Sequence, residues 1–201
     1  KRWDCIDQKG RVNVDLPFIE KVMAQVIPQL RPDRSAEDIF ITGISNGGFM
    51  TILAAIHFED EISAFAPVSA GDPYGIFVDC SDTSTGRVHA PGRWYDQHTG
   101  KEIGKPGACF SAAYADKKQT EDLPAQARLP FKQFHHEGDR GVDISCMRKT
   151  QGLLEQHGFK NAGPFIVKNV GRKNIWKHFW LEQYNLPLIQ FFKGAAKKRV
   201  E

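Results

Sequence analysis

The sequence lacks most features that mark specialised classes of protein. No apolar run approaches the ~20 residues of a membrane-spanning helix, and the four cysteines form no C-x-x-C pair of the kind that holds a metal. The 27 basic and 24 acidic residues leave a net charge of only +3, too small to indicate a nucleic-acid partner. The basic segment KKRVE at residues 197–201 is interpreted as a solvated tail. We therefore expect no membrane span, no metal knuckle and no nucleic-acid binding.

What the sequence does contain is an alternation of helical and extended patterns. A chain of 201 residues, 41% of them hydrophobic, can bury one sizeable core, so a single domain over residues 1–201 is expected. Such alternation is typical of a mostly parallel sheet with helices on both faces. The predicted strands cover 39–42, 62–71, 129–136 and 164–170, and the predicted helices begin at 15, follow the first strand, span 144–157 and cover 186–196.

Each predicted helix has an apolar face at spacings of three and four residues. Asp15 is expected to cap the first helix, and Gly158 to end the helix over 144–157. The apolar side chains assigned to these faces are Ile19, Val22, Met23, Val26, Ile27 and Leu30 in the first helix, Phe49, Ile52, Leu53 and Ile56 in the second, and Leu188, Ile189 and Phe192 in the last.

Residues 73–127 break the alternation. They combine Gly, Pro, Ser and Thr with aromatic residues and show no sustained period. A segment of this length inside a compact domain is usually a lid or a binding insertion. We expect a lid-like insertion over one edge of the sheet, containing Tyr74, Phe77, Trp94, Tyr95 and Phe110.

The four cysteines, Cys5, Cys80, Cys109 and Cys146, are spaced far apart. An even count permits two disulfides, and a bond between Cys80 and Cys109 would close a polar, Gly-rich loop. The alternative is four buried free thiols. The first ten residues, KRWDCIDQKG, lack the apolar segment of a signal peptide, so any such peptide has already been removed. Disulfide use would favour a secreted protein.

The segment DIFITGISNGGFMTILAAI, residues 38–56, carries the strongest functional signal. A β-branched run meets the motif GISNGG and continues directly as a helical pattern. In a strand–turn–helix elbow of this kind, a nucleophilic serine is held at an unfavourable backbone angle, and its neighbours must be small because strand and helix nearly touch. Gly43 and Gly47 meet that need, and Gly48 leaves further room. Ser45 is the predicted nucleophile, and the alternative is an ordinary turn without chemistry.

The helix behind the serine would support the same chemistry. Its positive N-terminus would face the negative charge that develops on a substrate oxygen. The backbone N–H of Asn46 is the expected oxyanion donor.

A serine nucleophile needs a base, and the base needs an acid to orient it. Among seven histidines, His178 lies in GRKNIWKHFW after the strand over 164–170, where the base belongs on such a sheet. The other histidines lie in helical patterns (His57, His157), in the insertion (His89, His98) or at a strand end just before the acid (His135, His136).

The acid is sought in FHHEGDRGVD, after the strand over 129–136. Asp139 in the turn is preferred, whereas Asp143 better suits the N-cap of the following helix. Asp72, after the strand over 62–71, is the third candidate. The same segment has a rival interpretation as a metal site, but consecutive residues rarely converge on one ion without distant partners. We predict neither a metal nor a cofactor.

Three segments resemble a known family: VDLPFIEKVMAQV, IFITGISNGGFMT and ISAFAPVSAGD. They are similar to the α/β-hydrolase esterases of the polyhydroxybutyrate depolymerase and feruloyl esterase kind. The resemblance covers roughly residues 13–72 and resumes more weakly near Asp139 and His178. It implies an α/β-hydrolase fold and secreted ester hydrolysis, with Ser45 as nucleophile, His178 as base and Asp139 as orienting acid.

The sequence also departs from that family. It has HHEGD where an HGTxD-like motif is usual, and WKHFW where a GxHxWP-like loop is common. About 37 residues precede the elbow strand, whereas the fold normally places several strands there and draws its second oxyanion donor from an HGGG or HGC loop. We expect a fragment that lacks the N-terminal strands, the alternative being an oxyanion hole built differently.

The expected reaction is two-step acyl transfer to water. Trp176 and Trp180, with Phe179, flank the base and could line an acyl pocket or a polymer-binding face, unless Trp176 and Phe179 belong to the core. The expected partner is a carboxylic ester, with polymeric and aromatic esters as candidates. The alternatives on this fold are a peptidase, an acyltransferase or a non-catalytic binding module.

Overall fold

The computed structural model describes residues 15–30, 39–71 and 128–197. The predicted insertion at 73–127 and three of the four cysteines lie outside these ranges. The insertion and the pairing of Cys80 with Cys109 therefore stay predictions.

Short parallel strands and flanking helices make up the described residues, in the alternating order that the sequence predicts. The strands are β1 Phe40–Ile44, β2 Ala64–Val68, β3 Pro130–Phe131, β4 Phe134–His136, β5 Lys160–Asn161 and β6 Phe165–Val167. The helices are α1 Asp15–Lys21, which continues through a π-helical turn at Val22–Val26 into α2 Ile27–Leu30, then α3 Asn46–His57, α4 Ile144–Gln156 and α5 Asn185–Lys197. Two 3₁₀ turns lie at Ile175–His178 and Glu182–Tyr184.

Strand β2 occupies the centre of the sheet. Along one edge it pairs with β1 over its full length, from Phe40 opposite Ala64 to Ile44 opposite Val68. Along the other edge it pairs first with β3 and then with β4. Strand β5 pairs with β3, and β6 pairs with β4. The carboxyl ends of β1, β2, β4 and β6 consequently meet at one edge of the sheet.

One of the four predicted strands is interrupted, and one further strand is present. The strand predicted over 129–136 divides into β3 and β4, and a short strand that the sequence did not predict, β5, precedes β6. Gly163, with φ +77°, and Pro164, which has no N–H to donate, separate β5 from β6. Hydrogen bonds such as Phe165 N–H to Gln133 O, 2.8 Å, bridge the gaps and keep the strands aligned.

The core lies on both faces of the sheet. Neighbouring residues on β2 point in opposite directions, so Phe65 packs with the cluster around α3 and Ala66 with the cluster under α5. All four side chains predicted to face inward from α3 are buried: Phe49, Ile52, Leu53 and Ile56. This confirms the predicted arrangement of helices on both faces of a parallel sheet.

The first helix differs from its prediction. Met23 is buried, and Ile19 and Ile27 pack against the core, but Val26 is 41% and Leu30 is 76% exposed. In the π-helical turn the N–H of Ile27 bonds to the carbonyl of Val22, five residues back, which rotates the apolar face. Ile189 on α5 is likewise half exposed, while Leu188 is buried. None of the helices in the described ranges is long and apolar enough to cross a membrane.

Helix α4 begins and ends at the predicted residues. The carboxylate of Asp143 accepts a hydrogen bond from the Ser145 N–H, 2.9 Å, and so caps the helix. Its other oxygen lies 2.7 Å from Lys173 Nζ. Gly158, with φ +89°, follows the helix. Asp143 therefore has a structural role at the start of α4.

Replacing Asp143 with alanine removes both the helix cap and the ion pair with Lys173. We expect D143A to lower the free energy of unfolding by about 1 kcal/mol, the usual cost of a lost N-cap. D143N should lose less, because asparagine can still cap the helix. Urea unfolding measures both values, and a D143A variant as stable as the wild type at neutral pH would contradict this role.

The difference in stability between the wild type and D143N should depend on pH. Burial alone would raise the pKa of Asp143, but hydrogen bonds from Lys173 and Ser145 lower it below 3.8. A lowered folded-state pKa means that the charge contributes stability above the unfolded-state value and loses it as the pH falls through the folded-state value. The stabilities of the wild type and D143N should therefore converge in acid.

Candidate active site

Ser45 lies at the turn between β1 and α3 with a backbone conformation that L-residues rarely adopt. Its φ is +54° and its ψ is −119°, as expected for a nucleophile elbow. The Ser45 N–H donates to Val68 O on β2, 3.0 Å, and the Ser45 carbonyl accepts from the Phe49 N–H. The strained residue is thus tied to the sheet on one side and to the helix on the other.

The glycines around Ser45 differ in how much room they have. A Cβ on Gly43 would lie 2.5 Å from the carbonyl oxygen of Gly47, and one on Gly48 would lie 2.7 Å from Val68 O. A Cβ on Gly47 would meet no atom of the described residues within 4 Å. The prediction that residue 47 must be small is therefore wrong. Gly43 approaches the backbone of Gly47, and a side chain at 47 would point away from this contact. The close contacts of strand and helix require glycine at 43 and 48.

A chain of two hydrogen bonds connects the three residues predicted as nucleophile, base and acid. His178 Nε2 lies 2.7 Å from Ser45 Oγ. His178 Nδ1 lies 2.8 Å from Asp139 Oδ2 and 3.0 Å from Asp139 Oδ1. A carboxylate only accepts, so Nδ1 carries the proton and the lone pair of Nε2 faces the serine hydroxyl. The arrangement can take a proton from Ser45.

Asp139 is buried, and backbone N–H groups hold its carboxylate. Oδ1 accepts hydrogen bonds from Gly141 N–H, 2.7 Å, and Val142 N–H, 3.0 Å. The two other candidate acids differ: Asp143 caps α4, and Asp72 lies outside the described residues. Asp139 is the candidate that the fold brings to His178.

The loops that carry the acid and the base are joined through their main chains. Asp139 and Asn174 form a parallel β-bridge, and the Asn174 N–H donates to Gly138 O, 3.1 Å. The side chain of Asn174 then accepts from the Lys177 N–H at the start of the 3₁₀ turn. Lys177 Nζ donates to Asn169 Oδ1, Val170 O and Arg172 O, which closes the loop before His178.

Sequence reasoning missed two residues beside Asp139 and His178. A Cβ on Gly141 would lie 2.7 Å from His178 Cγ, so only glycine lets the imidazole reach Asp139. His135, set aside as a strand end, has Nε2 3.0 Å from Val142 O and 3.7 Å from Asp139 Oδ2. The spacing of four residues between His135 and Asp139 is the sequence feature that could have indicated their proximity.

The side chains of HHEGD bond in different directions. His136 Nδ1 accepts from the Gly138 N–H, and Glu137 accepts from Lys168, which with the Asn169 N–H lowers the pKa of Glu137. Burial and nearby Lys177 lower the pKa of His136. Within the described residues no group of three or more His, Cys, Asp or Glu is placed to hold a metal ion.

The aromatic residues near the base are exposed. Trp176 is 76% and Phe179 is 50% exposed, so the alternative that they belong to the core is wrong. Their ring centroids are 5.8 Å apart, and that of Phe179 is 6.1 Å from that of His178. Trp180 is partly exposed, with its Nε1 donating to Asn185 Oδ1, 2.8 Å. An apolar surface therefore adjoins the hydrogen-bonded site.

Comparison with known proteins identifies the fold. No family model matches the chain, and no curated protein matches its sequence significantly. Among solved structures, a point variant of SOBER1 from Arabidopsis thaliana superposes with a TM-score of 0.52 at 13% identity, over 100% of this chain and 75% of that one. A thermostable esterase gives a TM-score of 0.51 at 18% identity, over 89% of this chain and 36% of its own.

Acylaminoacyl peptidase from Pyrococcus horikoshii is similar to the same degree, with a TM-score of 0.58 at 17% identity over 92% of this chain. This chain spans only 28% of the peptidase. At such identities the likeness concerns the fold alone. The predicted α/β-hydrolase fold is confirmed.

Alanine substitutions at the three elbow glycines should show whether each glycine is needed for close packing or merely belongs to the sequence motif. G43A and G48A should each destabilise the fold by about 1–3 kcal/mol, because the added methyl meets backbone atoms that cannot move freely. G47A is the matched control, since its methyl has room and alanine favours a helix. Urea unfolding measures the three variants, and equal losses for G47A and G48A would overturn the packing argument.

Proposed function

We propose that this protein is a serine carboxylic-ester hydrolase. The observation that carries the proposal is the hydrogen-bonded chain from Ser45 through His178 to Asp139, with Ser45 at an elbow of φ +54°. These residue types in this order form the arrangement that activates a serine for attack on a carbonyl carbon. The fold places them at the carboxyl ends of parallel strands, where α/β proteins bind ligands.

The proposed reaction has two steps. In the first, Ser45 Oγ attacks the ester carbonyl as its proton passes to His178 Nε2, and the alcohol leaves with that proton. Asp139 stabilises the imidazolium and holds its orientation. In the second, His178 takes a proton from water as the water attacks the acyl-enzyme, and it returns that proton to Ser45 Oγ as the acid leaves.

The oxyanion formed in each step would lie at the N-terminus of α3. Helix α3 begins at Asn46, and the first N–H groups of a helix have no acceptor within it. We assign the Asn46 N–H as one oxyanion donor, supported by its position directly after the nucleophile.

The same three residues serve esterases and peptidases, which differ in the bond that they cleave. The similar structures include both a thermostable esterase and an acylaminoacyl peptidase. We favour ester cleavage because of the resemblance of residues 13–72 to depolymerase-like and feruloyl esterase-like sequences. We also propose that the protein is secreted, in keeping with that resemblance.

The exposed aromatic side chains point to an apolar acyl or alcohol group. Trp176 and Phe179 contact each other beside His178 while remaining exposed. Large aromatic surfaces left in water are commonly used in binding. Trp176 and Trp180 are therefore assigned to the substrate-binding rim, with aromatic or polymeric esters as the candidate substrates.

Substitutions in the hydrogen-bonded chain test the reaction. S45A should abolish labelling by a fluorophosphonate probe, and S45A and H178A should each lower the hydrolysis of nitrophenyl esters by about 10⁴-fold or more. D139N should cost less, because the serine and the base remain. The turnover of nitrophenyl esters and of a chromogenic peptide amide should be measured side by side.

The control for D139N is D143N, which alters a carboxylate four residues away and should leave turnover near the wild-type value. Labelling that persists in S45A, at Ser69 or Ser145, would overturn the elbow assignment. Cleavage of the peptide amide in preference to the esters would favour a peptidase.

The aromatic rim makes a separate prediction about specificity. W176A should lower kcat/KM for hydroxycinnamate or long-chain esters by up to about 10-fold while changing acetate esters little, because only the large groups reach the rim. L186A, which removes an exposed apolar side chain on α5, is the matched control. A uniform loss across all esters would contradict a role of Trp176 in binding.

A further inference from the structure

A second imidazole lies behind the acid. His135 on β4 is 0% exposed, and its Nε2 is 3.0 Å from Val142 O and 3.7 Å from Asp139 Oδ2. His178 approaches the same carboxylate through Nδ1, 2.8 Å from Oδ2 and 3.0 Å from Oδ1. Asp139 therefore has two histidine neighbours, one that contacts Ser45 and one that reaches no solvent.

The bond to Val142 fixes the protonation of His135. A carbonyl oxygen only accepts hydrogen bonds, so Nε2 of His135 must carry a proton. Nδ1 is buried and has no hydrogen-bond partner among the described residues. Burial lowers the pKa of His135, more than the charges of Asp139 and Asp143 raise it, and His178 lowers it further. The ring is consequently neutral, and its approach to Asp139 is that of an N–H dipole, not of an ion pair.

His135 is also connected to Asp139 through the backbone of residues 141 and 142. His135 holds the carbonyl of Val142, and the N–H groups of Val142 and Gly141 hold Asp139 Oδ1. With Oδ1 bound in this way, Oδ2 makes the shorter contact with His178 Nδ1. His135, on strand β4, thus holds the turn over residues 139–142, and N–H groups of this turn hold the Asp139 carboxylate.

We propose that His135 is a positioning residue, whose neutral ring clamps the turn over 139–142 and keeps the Asp139 carboxylate directed at His178. The proposal rests on the proposed function of Ser45, His178 and Asp139. His135 touches no reacting atom and acts only through Asp139.

The chain offers a matched control just before strand β4. Gln133, two residues before His135 and almost fully buried, donates from Nε2 to Met147 O on α4, 3.2 Å. H135L and Q133L each remove one buried hydrogen bond from a side chain to a carbonyl, so both should lower the melting temperature. Only H135L releases the turn that holds Asp139.

The test compares H135L, H135Q and Q133L by ester kinetics and by proton NMR of the full chain. In the wild type, the His178 Nδ1 proton should resonate at low field, as a proton shared with a carboxylate does. H135L should broaden or shift this resonance and lower kcat about 10- to 100-fold with little change in KM, the scale that a small misplacement of a reacting group costs. H135Q, whose amide N–H can reach Val142 O, should restore most of both, and Q133L should change neither.

The NMR signal needs no substrate, which separates this proposal from the proposed function. A wild type without ester turnover would contradict the proposed function, while the resonance would still report on His135. Equal changes in H135L and Q133L, or an unchanged resonance in H135L, would overturn the positioning role. If H135L does not fold, nitrogen NMR of the wild type decides: a His135 protonated at Nδ1, or charged at neutral pH, would contradict the proposal.

Discussion

The close approach of β1 and α3 is the constraint on which the site depends. Gly43 and Gly48 let the two backbones meet at distances that a methyl group would prevent. The chain can turn from strand to helix within one residue only if Ser45 takes a left-handed conformation, which costs of order 1–3 kcal/mol. The buried face of α3 and the bond from Ser45 to Val68 offset that cost. The strain places Oγ above the sheet, within reach of His178.

The second requirement is a fixed orientation of the Asp139 carboxylate. Asp139 is buried, and among the described residues the groups around its carboxylate are backbone N–H donors and imidazole rings. Hydrogen bonds from several fixed donors hold its oxygens in place. The bridge between Asp139 and Asn174 then sets the distance from acid to base through main-chain bonds, which side-chain motion cannot lengthen.

The sequence was most informative where local chemistry decides the structure. The elbow motif, the cap at Asp143 and the glycine after α4 each follow from backbone rules that act over a few residues, and all three are present. The choice of Asp139 over Asp143 followed for the same reason, because a residue that caps a helix is poorly placed to hold a histidine. Order along a parallel sheet pointed to the loop that holds His178, which the structure brings to Ser45.

What escaped prediction depends on contacts between distant segments or on irregular backbone. The π-helical turn at Val22–Val26 cannot be seen from apolar spacing, so the exposure of Val26 and Leu30 was not foreseen. Trp176 is exposed on an irregular loop, which Lys177 holds through hydrogen bonds to Asn169, Val170 and Arg172. His135 was overlooked because its partners, Val142 and Asp139, meet only when the turn closes.

The hydrogen bond between Ser45 and His178 joins residues 133 positions apart in the chain. Contacts of such sequence separation close late, after the entropy of ordering the intervening segments has been lost. The elbow and α3 are local structures that can form early. His178 reaches Ser45 only when the loop before α5 docks beside β4. A partly unfolded chain would therefore hold a correctly shaped elbow in which Ser45 has no contact with His178. The hydrogen bond between these two residues is in that sense a measure of completed folding, formed only when the segment that carries His178 docks.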